Sequence, residues 1–451
     1  MSRARTESVA VEGMPVVNPN AAGLDIGLDE IWASVPADRD TLAVRKFGTY
    51  TPDLHALADW LVKCGIQTVA MESTGVYWIP VYEILEARGL QVYVVNARQI
   101  KHVPGRKSDV QDCQWIQRLH TCGLLSGSFR PEAEMRVLRA YLRHRADLIQ
   151  HRAAHIQHMQ KALQQMNLQL TQVLSDITGV TGLAIIRAMV AGERDARHLA
   201  QLRDRRCAKP EAEIVKALTG HYRPEHVFAL KQALALYDAY TQQLGECDHE
   251  IERQFSVLKP IHDDDLPPLD PSDKRNTHSK NAPATDHRSL LYHLLGVDLV
   301  AISGLHASTV ETIISEVGTD MSRWATDKHF CSWLGLAPHH DISGGRILRS
   351  HTLKTNNRAG QAFRLAARSV SRTQSVFGAF FRRMRAKHGP KKAIVATAHK
   401  IARTFYAMLK HRQPFQDIGA DEYDQRERKR EIARLQKRAA KLGLSLVCTS
   451  A

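Results

Sequence analysis

GLDIGLDEIWASVPADRDTLAVRKF (residues 23–47) is the stretch on which the fold turns. From Ala22 its short alternating apolar runs, broken by a polar turn, read as consecutive strands. Working outward, the pattern predicts a helix from Pro52 to Cys64, a strand from Gln67 to Met71, and a turn or helix cap at Ser73-Thr74-Gly75. A helix from Val76 to Arg88 and a strand from Gln91 to Asn96 follow. Strands alternating with helices imply a mixed α/β sheet. Four acids punctuate it: Asp25 in GLDIG, Glu72 in VAMESTG, and Asp109 with Asp112 in KSDVQDC, where another helix begins. Three separate elements thus each offer carboxylate oxygens, and the i, i+3 spacing aims Asp109 and Asp112 from one helix face. Hard Mg²⁺ takes oxygen ligands and keeps positions for phosphate and water. Ions so held can clamp both the attacking and the leaving oxygen of a phosphodiester. A single strand-end aspartate is an ordinary turn or cap residue; the set is what points to a metal.

Charge points to a polyanion as well. The 451 residues, enough for two or three domains, carry 62 Lys and Arg against 47 Asp and Glu, a net +15. From Ile342 to Gln416 there is no Asp or Glu, while Lys and Arg number 17. A solvated face normally mixes signs, so this block reads as a phosphate-contacting surface. Its candidate contacts are Arg346, Arg349, Lys354, Arg358, Arg364, Arg368, Arg382, Arg383, Lys391 and Lys392. Helices expected at Ala359–Ser371 and Lys392–Lys410 set these cations on one side and Phe363, Leu365, Ile401, Phe405 and Leu409 on another. The seven cysteines form no CxxC pair and suggest neither zinc nor a disulfide framework. No apolar run reaches the roughly 20 residues of a membrane span, and residues 1–20 lack a signal-peptide core. An intracellular, reduced protein is the expectation.

The middle of the chain changes character. Aliphatic residues recur every seven at Leu142, Ile149, Ile156, Leu163 and Leu170, and again at Leu230, Tyr237, Leu244, Ile251 and Leu258. Two long heptad helices can pair with each other or with copies in another subunit. Arg145, Arg152 and Asp248 interrupt the companion rows. Ile177–Gly182 and Ile302–Ala307 form a weak repeat. The first resembles a helix-hairpin-helix turn whose glycines admit a phosphate to a helix N-terminus; an ordinary glycine-containing junction is the other reading. Residues 262–287, rich in Pro, Asp, Ser and Asn, read as a linker or disordered insertion. In the turn His339-His340-Asp341-Ile342-Ser343-Gly344-Gly345-Arg346, composition alone makes Ser343 a loop serine. The two glycines leave its hydroxyl open to a bulky substrate. Arg346, Arg349 and Arg358 are close enough in sequence to balance a phosphate under attack.

Together GLDIG, MESTGVYW (71–78), NARQIKHVPGRKSDVQD (96–112) and WLGLAPHHDISGGRILR (333–349) resemble an insertion-sequence-110 family transposase, of the longer insertion-sequence-1111 type. The resemblance covers roughly residues 20 to 440 apart from the insertion at 262–287, and the stretch PFQDIGADEYDQRERKREIARLQKRAAKLG (414–443) also looks like the tail of these proteins. It implies an N-terminal RuvC-like (RNase H-like) α/β domain whose DEDD tetrad is Asp25, Glu72, Asp109 and Asp112. Long coiled-coil helices and a mainly α-helical C-terminal transposase domain with a nucleophilic serine, here Ser343, would follow. The expected division is a leader at 1–20, the RuvC-like domain at 21–130 and a helical region at 131–261. The insertion at 262–287, a basic transposase domain at 288–415 and a charged helical tail at 416–451 complete it. The family's activity is DNA recombination through a covalent phosphoserine with Mg²⁺. An element-encoded guide RNA pairs with donor and target DNA, and the enzyme works as a homo-oligomer, dimer or tetramer, in the prokaryotic cytoplasm. Cys113, where relatives often carry alanine, and Ile342, where a second serine can occur, depart from the pattern. Two other functions fit the residues: a metal-only nuclease or junction resolvase in which Ser343 is structural, and a non-catalytic nucleic-acid scaffold.

Overall fold

The computed structural model describes residues 14–73, 75–100, 108–258, 266–269, 281–283, 285–352 and 357–445. It divides into two compact units, residues 1–130 and 131–451. Most of the 262–287 segment and the first thirteen residues lie outside the described residues.

The first unit is built on a five-stranded sheet, β1 (Ala21–Ile26), β2 (Glu30–Ser34), β3 (Val44–Gly48), β4 (Thr68–Glu72) and β5 (Gln91–Val95), in the order β3-β2-β1-β4-β5. β1 runs antiparallel to β2 but parallel to β4, and β4 parallel to β5, which makes the sheet mixed. The helices are α1 (Thr51–Lys63), α2 (Trp78–Ala87), the short α3 (Ala97–Ile100) and α4 (Asp109–Thr121). α1 and α2 begin and end within two residues of their expected limits, α4 begins where a helix start is expected, and the pattern does not predict α3. One face of the sheet buries Leu24, Ile31, Met71 and Val69 with Leu57, Leu61 and Leu85 of the helices. The other face takes α4 so closely that a Cβ on Gly23 of β1 would stand 2.2 Å from the Gln117 amide nitrogen and 2.4 Å from the Cys113 carbonyl. Only glycine permits that approach. Farther along α4, His120 and Thr68 of β4 share a 2.7 Å hydrogen bond.

The second unit is helical apart from one hairpin. Its first part holds α5 (Ala133–Gln165), α6 (Leu170–Val173), α7 (Val180–Ala191), α8 (Ala196–Gln201), α9 (Glu211–Leu218) and α10 (Pro224–Val257). α5 and α10 lie against each other in antiparallel sense, Tyr141 meeting Cys247 and His155 stacking on Tyr240. The two heptad stripes thus meet within the chain, with Leu142, Ile149 and Ile156 left half-buried. Leu163, Leu230, Tyr237, Leu244 and Ile251 are buried. α5 ends at Gln165, short of Leu170, because Asn167 turns the chain with φ +54°. The charged interruptions are matched: Arg145, buried, pairs with Asp248 and donates to the Asn281 carbonyl at 2.9 Å. Arg152 reaches Asn281 Oδ1 at 2.9 Å. The repeated glycines are packing residues. A Cβ on Gly182 would strike the Ile177 carbonyl at 2.2 Å. Gly304, at φ +91°, sits 2.8 Å by the same measure from the Ala366 carbonyl.

The remainder comprises α11 (His287–Leu295), α12 (Ala307–Val317), α13 (Asp327–Trp333), strands β6 (Pro338–Ser343) and β7 (Arg346–Thr352), α14 (Arg358–Ser369), α15 (Val376–His388), α16 (Pro390–His411) and α17 (Gly419–Lys441). Phe330, Phe363, Phe377 and Phe405 are fully buried, and Phe330, Phe363 and Phe405 meet edge to face. That aromatic cluster anchors α13, α14 and α16. Asp286, at the end of the supposed linker, caps α11 by accepting from the Arg288 and Ser289 amides. Among the described residues no helix is long and apolar enough to cross a membrane.

Candidate functional site

The four acids converge at one end of the mixed sheet, where its adjacent inner strands β1 and β4 terminate. Asp25 lies on β1, in the register opposite Trp32, and shares its face with Gly23, the face that receives α4. The parallel pairing of Leu24 with Met71 brings Glu72, last residue of β4, alongside it. α4 supplies the other two from its first turn. Ser108 caps that helix by accepting from the Gln111 amide, and its N-terminal dipole favours carboxylates there. Two residues order this locally: Gly23, two before Asp25, lets the helix come down on β1, and the Ser108 cap fixes where the second pair projects.

The charges register one another. Asp25, half-buried, has its pKa raised from 3.8 to about 6, by burial first and then by Asp109, Asp112 and Glu72. A divalent ion placed among a half-buried carboxylate and three like charges would remove both penalties at once. The donor set is all oxygen, which suits Mg²⁺. Among the described residues, no three His, Cys, Asp or Glu side chains already stand at common ligand spacing. Next to this end of the sheet Cys113 is fully buried, its thiol pushed up to about 12 by burial and by Asp25, so it is a packing residue.

Ser343 closes β6. It pairs with Arg346 across a two-residue turn, Gly344-Gly345, at φ +55° and +76°. Two consecutive left-handed residues make the tight hairpin turn whose twist suits the strands. Ser343, Ile342 and Ile347 are all exposed, the two isoleucines at 62 % and 59 %. A bulge at Asp341/Ile342 re-aims the last residues of β6. Asp341 is the hairpin's own counter-charge, 3.6 Å from His339 and 3.9 Å from both Arg349 and His351.

The basic block divides into two populations. Arg364 donates to the Gly335 carbonyl at 2.7 Å, Arg382 to the Thr373 carbonyl at 2.8 Å, and Arg383 pairs with Glu427 of α17. These three tie elements together. Arg346, Arg358, Arg368, Lys391 and Lys392 are exposed, as is Arg349 beside Asp341, and Lys354 lies outside the described residues. The sequence reading missed the hairpin strands, since HHDIS is polar enough to pass for a loop; the Gly-Gly pair was the available signal.

A family model of DEDD type for IS110 elements, described as transposase, matches residues 22–168 and so contains all four acids. A second, described as transposase of the IS116/IS110/IS902 family, matches residues 298–382 and contains Ser343 and the basic residues from Arg346 to Arg382. No curated protein matches the chain. With two models of one family matched in order, each around one of the two candidate centres, the chain belongs to the IS110 family of transposases.

Proposed function

We propose that this transposase is an RNA-guided DNA recombinase of the insertion-sequence-1111 type that cuts and rejoins strands through Ser343, with Mg²⁺ held by Asp25, Glu72, Asp109 and Asp112 in a RuvC-like domain. The observation that carries it is the gathering of four carboxylates from β1, β4 and α4 at one end of the sheet, where burial first and then the other three acids raise the Asp25 pKa to about 6, inside a DEDD-type match. When bound, the metal would lower the pKa of a hydroxyl and stabilise charge on the phosphoryl oxygens. The Ser343 oxygen would form a bond to phosphorus as the phosphorus–oxygen bond to one deoxyribose breaks. The hydroxyl proton leaves to a base and the departing sugar oxygen takes one up, and resealing reverses these steps on another strand. Arg346, Arg349 and Arg358 would neutralise the phosphate under attack, while Arg368, Lys391 and Lys392 track the backbone. Donor and target DNA are the substrates, and pairing to the guide RNA would specify sequence, so the protein reads backbone and A-form shape. Active assemblies would be dimers or tetramers.

A second reading has its own support. The Ser343 side chain has no hydrogen-bond partner among the described residues, an arrangement that need not change in a metal-only nuclease, where the acids activate water. Incubating the protein, its co-purifying RNA and labelled element-junction DNA with Mg²⁺, then quenching in denaturant, separates the readings. A DNA-linked protein that is lost in Ser343→Ala supports the recombinase. Free cleaved DNA without adduct overturns the serine, and binding without any cleavage leaves only a scaffold.

A further inference from the structure

Between the foot of the β6–β7 hairpin and helices α15 and α16 lies a hollow of about 1050 Å³. Its walls mix two chemistries. Leu336, 2 % exposed, and the half-buried Phe380, Met384, Val395 and Ala396 form an apolar face. Lys391, Lys392, His399 and Lys400 bring nitrogen bases and cations to it, and among the described residues no Asp or Glu lines it. Arg403 at the margin is already paired with Asp327. Lys391, Lys392 and Lys400 have no carboxylate partner among the described residues.

Lys400 is the most telling of these. Its Nζ lies 4.6 Å from the ring centroids of both Phe380 and Tyr423. Burial, then Arg383 and Arg430, pull its pKa down to about 8. An amine held among rings and like charges gains when an anion arrives, because the anion restores the charged form. A concave, mostly apolar site with a few convergent charges fits a ligand flat and apolar at one end and anionic at the other. Stacked duplex DNA offers such a hollow only phosphates. A nucleotide swung out of the stack offers both a base and a phosphate, and loses little by leaving the helix where pairing is already broken.

We propose that this hollow receives a single unpaired DNA nucleotide, its base against Phe380, Met384 and Val395 and its phosphate on Lys391, Lys392 and Lys400. The inference rests on the nucleic-acid reading above but not on its serine chemistry. The source is DNA because the chain belongs to a transposase family, whose substrates are DNA.

The test compares a blunt 20-base-pair duplex with the same duplex carrying one extrahelical 2-aminopurine, by fluorescence anisotropy in metal-free buffer, where no cleavage enters. Wild type should prefer the extrahelical probe about tenfold, within the range that base stacking on a protein contributes, and change the 2-aminopurine emission on binding. Ala396→Phe, which fills the hollow, and Lys400→Met, which keeps the stem and removes the charge, should each abolish most of that preference while duplex affinity holds. Circular dichroism checks that the variants fold, and Lys400→Met decides if Ala396→Phe does not. Equal affinity for the two probes in wild type overturns the proposal. So does a preference untouched by both variants, or one that falls only in step with duplex binding. A ribonucleotide version of the probe that binds tighter than the DNA version overturns the assignment to DNA. The adduct assay on Ser343 reads the other proposal separately.

Discussion

Asp25 makes the metal-free protein carry a pH-dependent penalty that one substitution removes. In the folded chain its carboxyl keeps a proton to about pH 6, whereas the unfolded chain gives it up near 3.8. A raised folded pKa means that the unfolded state binds fewer protons between those values, so stability is full below about pH 4 and is lost as pH climbs to 6. A gap of roughly two pH units corresponds to about 3 kcal/mol, at 1.36 kcal/mol for each unit. Asp25→Asn has no proton to lose, so at pH 7.5 without divalent ions it should be more stable than wild type by up to ~3 kcal/mol. Near pH 4 the two should agree. Hydrogen exchange of amides in β1 and α4, corrected for intrinsic rates, follows this unit alone. Wild type should lose protection between pH 4 and 6 and regain part of it on adding Mg²⁺, while the variant does neither. If the two proteins lose protection in parallel across that range, the three neighbouring carboxylates do not act on Asp25 as argued. The variant should also be dead in cleavage, the trade of function for stability usual at charged sites.

Arg145→Met should cost up to about 3 kcal/mol in urea unfolding of the helical unit, because it strands the largely covered Asp248, whereas Arg145→Met with Asp248→Leu should recover most of it. Gly23→Ala should lower the melting temperature of the first unit sharply, its methyl meeting α4 backbone that cannot move aside; a change under 1 °C would show that α4 yields. Ser343→Ala should fold and bind DNA as wild type does, since the side chain is exposed, and lose covalent joining alone.

Most of the first unit was legible in its residues. Apolar runs of the right length, glycines at their ends and polar turns between them fix β1 to β5, and the acids stand at strand ends and a helix start that such patterns locate. What the pattern does not hold is the closeness of α4 to β1, which Gly23 signals only once the register is known. The heptads were legible as stripes but not as a pairing: seven-residue spacing is the same for a partner within the chain or outside it, and Arg145 and Asp248, read singly as flaws, become sense only across the two helices. The hairpin escaped because its strands bury almost nothing, so no alternation of apolar and polar residues records them. Among the basic residues, composition could not separate Arg364, Arg382 and Arg383, spent on carbonyls and on Glu427, from those left facing solvent.

The Arg145–Asp248 pair also works as a ruler. Sliding α5 along α10 by one heptad one way would set Arg145 opposite Thr241 and Asp248 opposite Leu138, and the other way would hand Asp248 to Arg152 but set Arg145 against Phe255, so each slip leaves Arg145 unmatched and the antiparallel register observed is the one that pairs it. If copies of this chain ever trade these helices in assembling around DNA, that same mark would admit only the antiparallel exchange in which residue 145 of one copy finds residue 248 of the other. A stripe of leucines supplies adhesion without address; a single buried charge on each helix supplies the address.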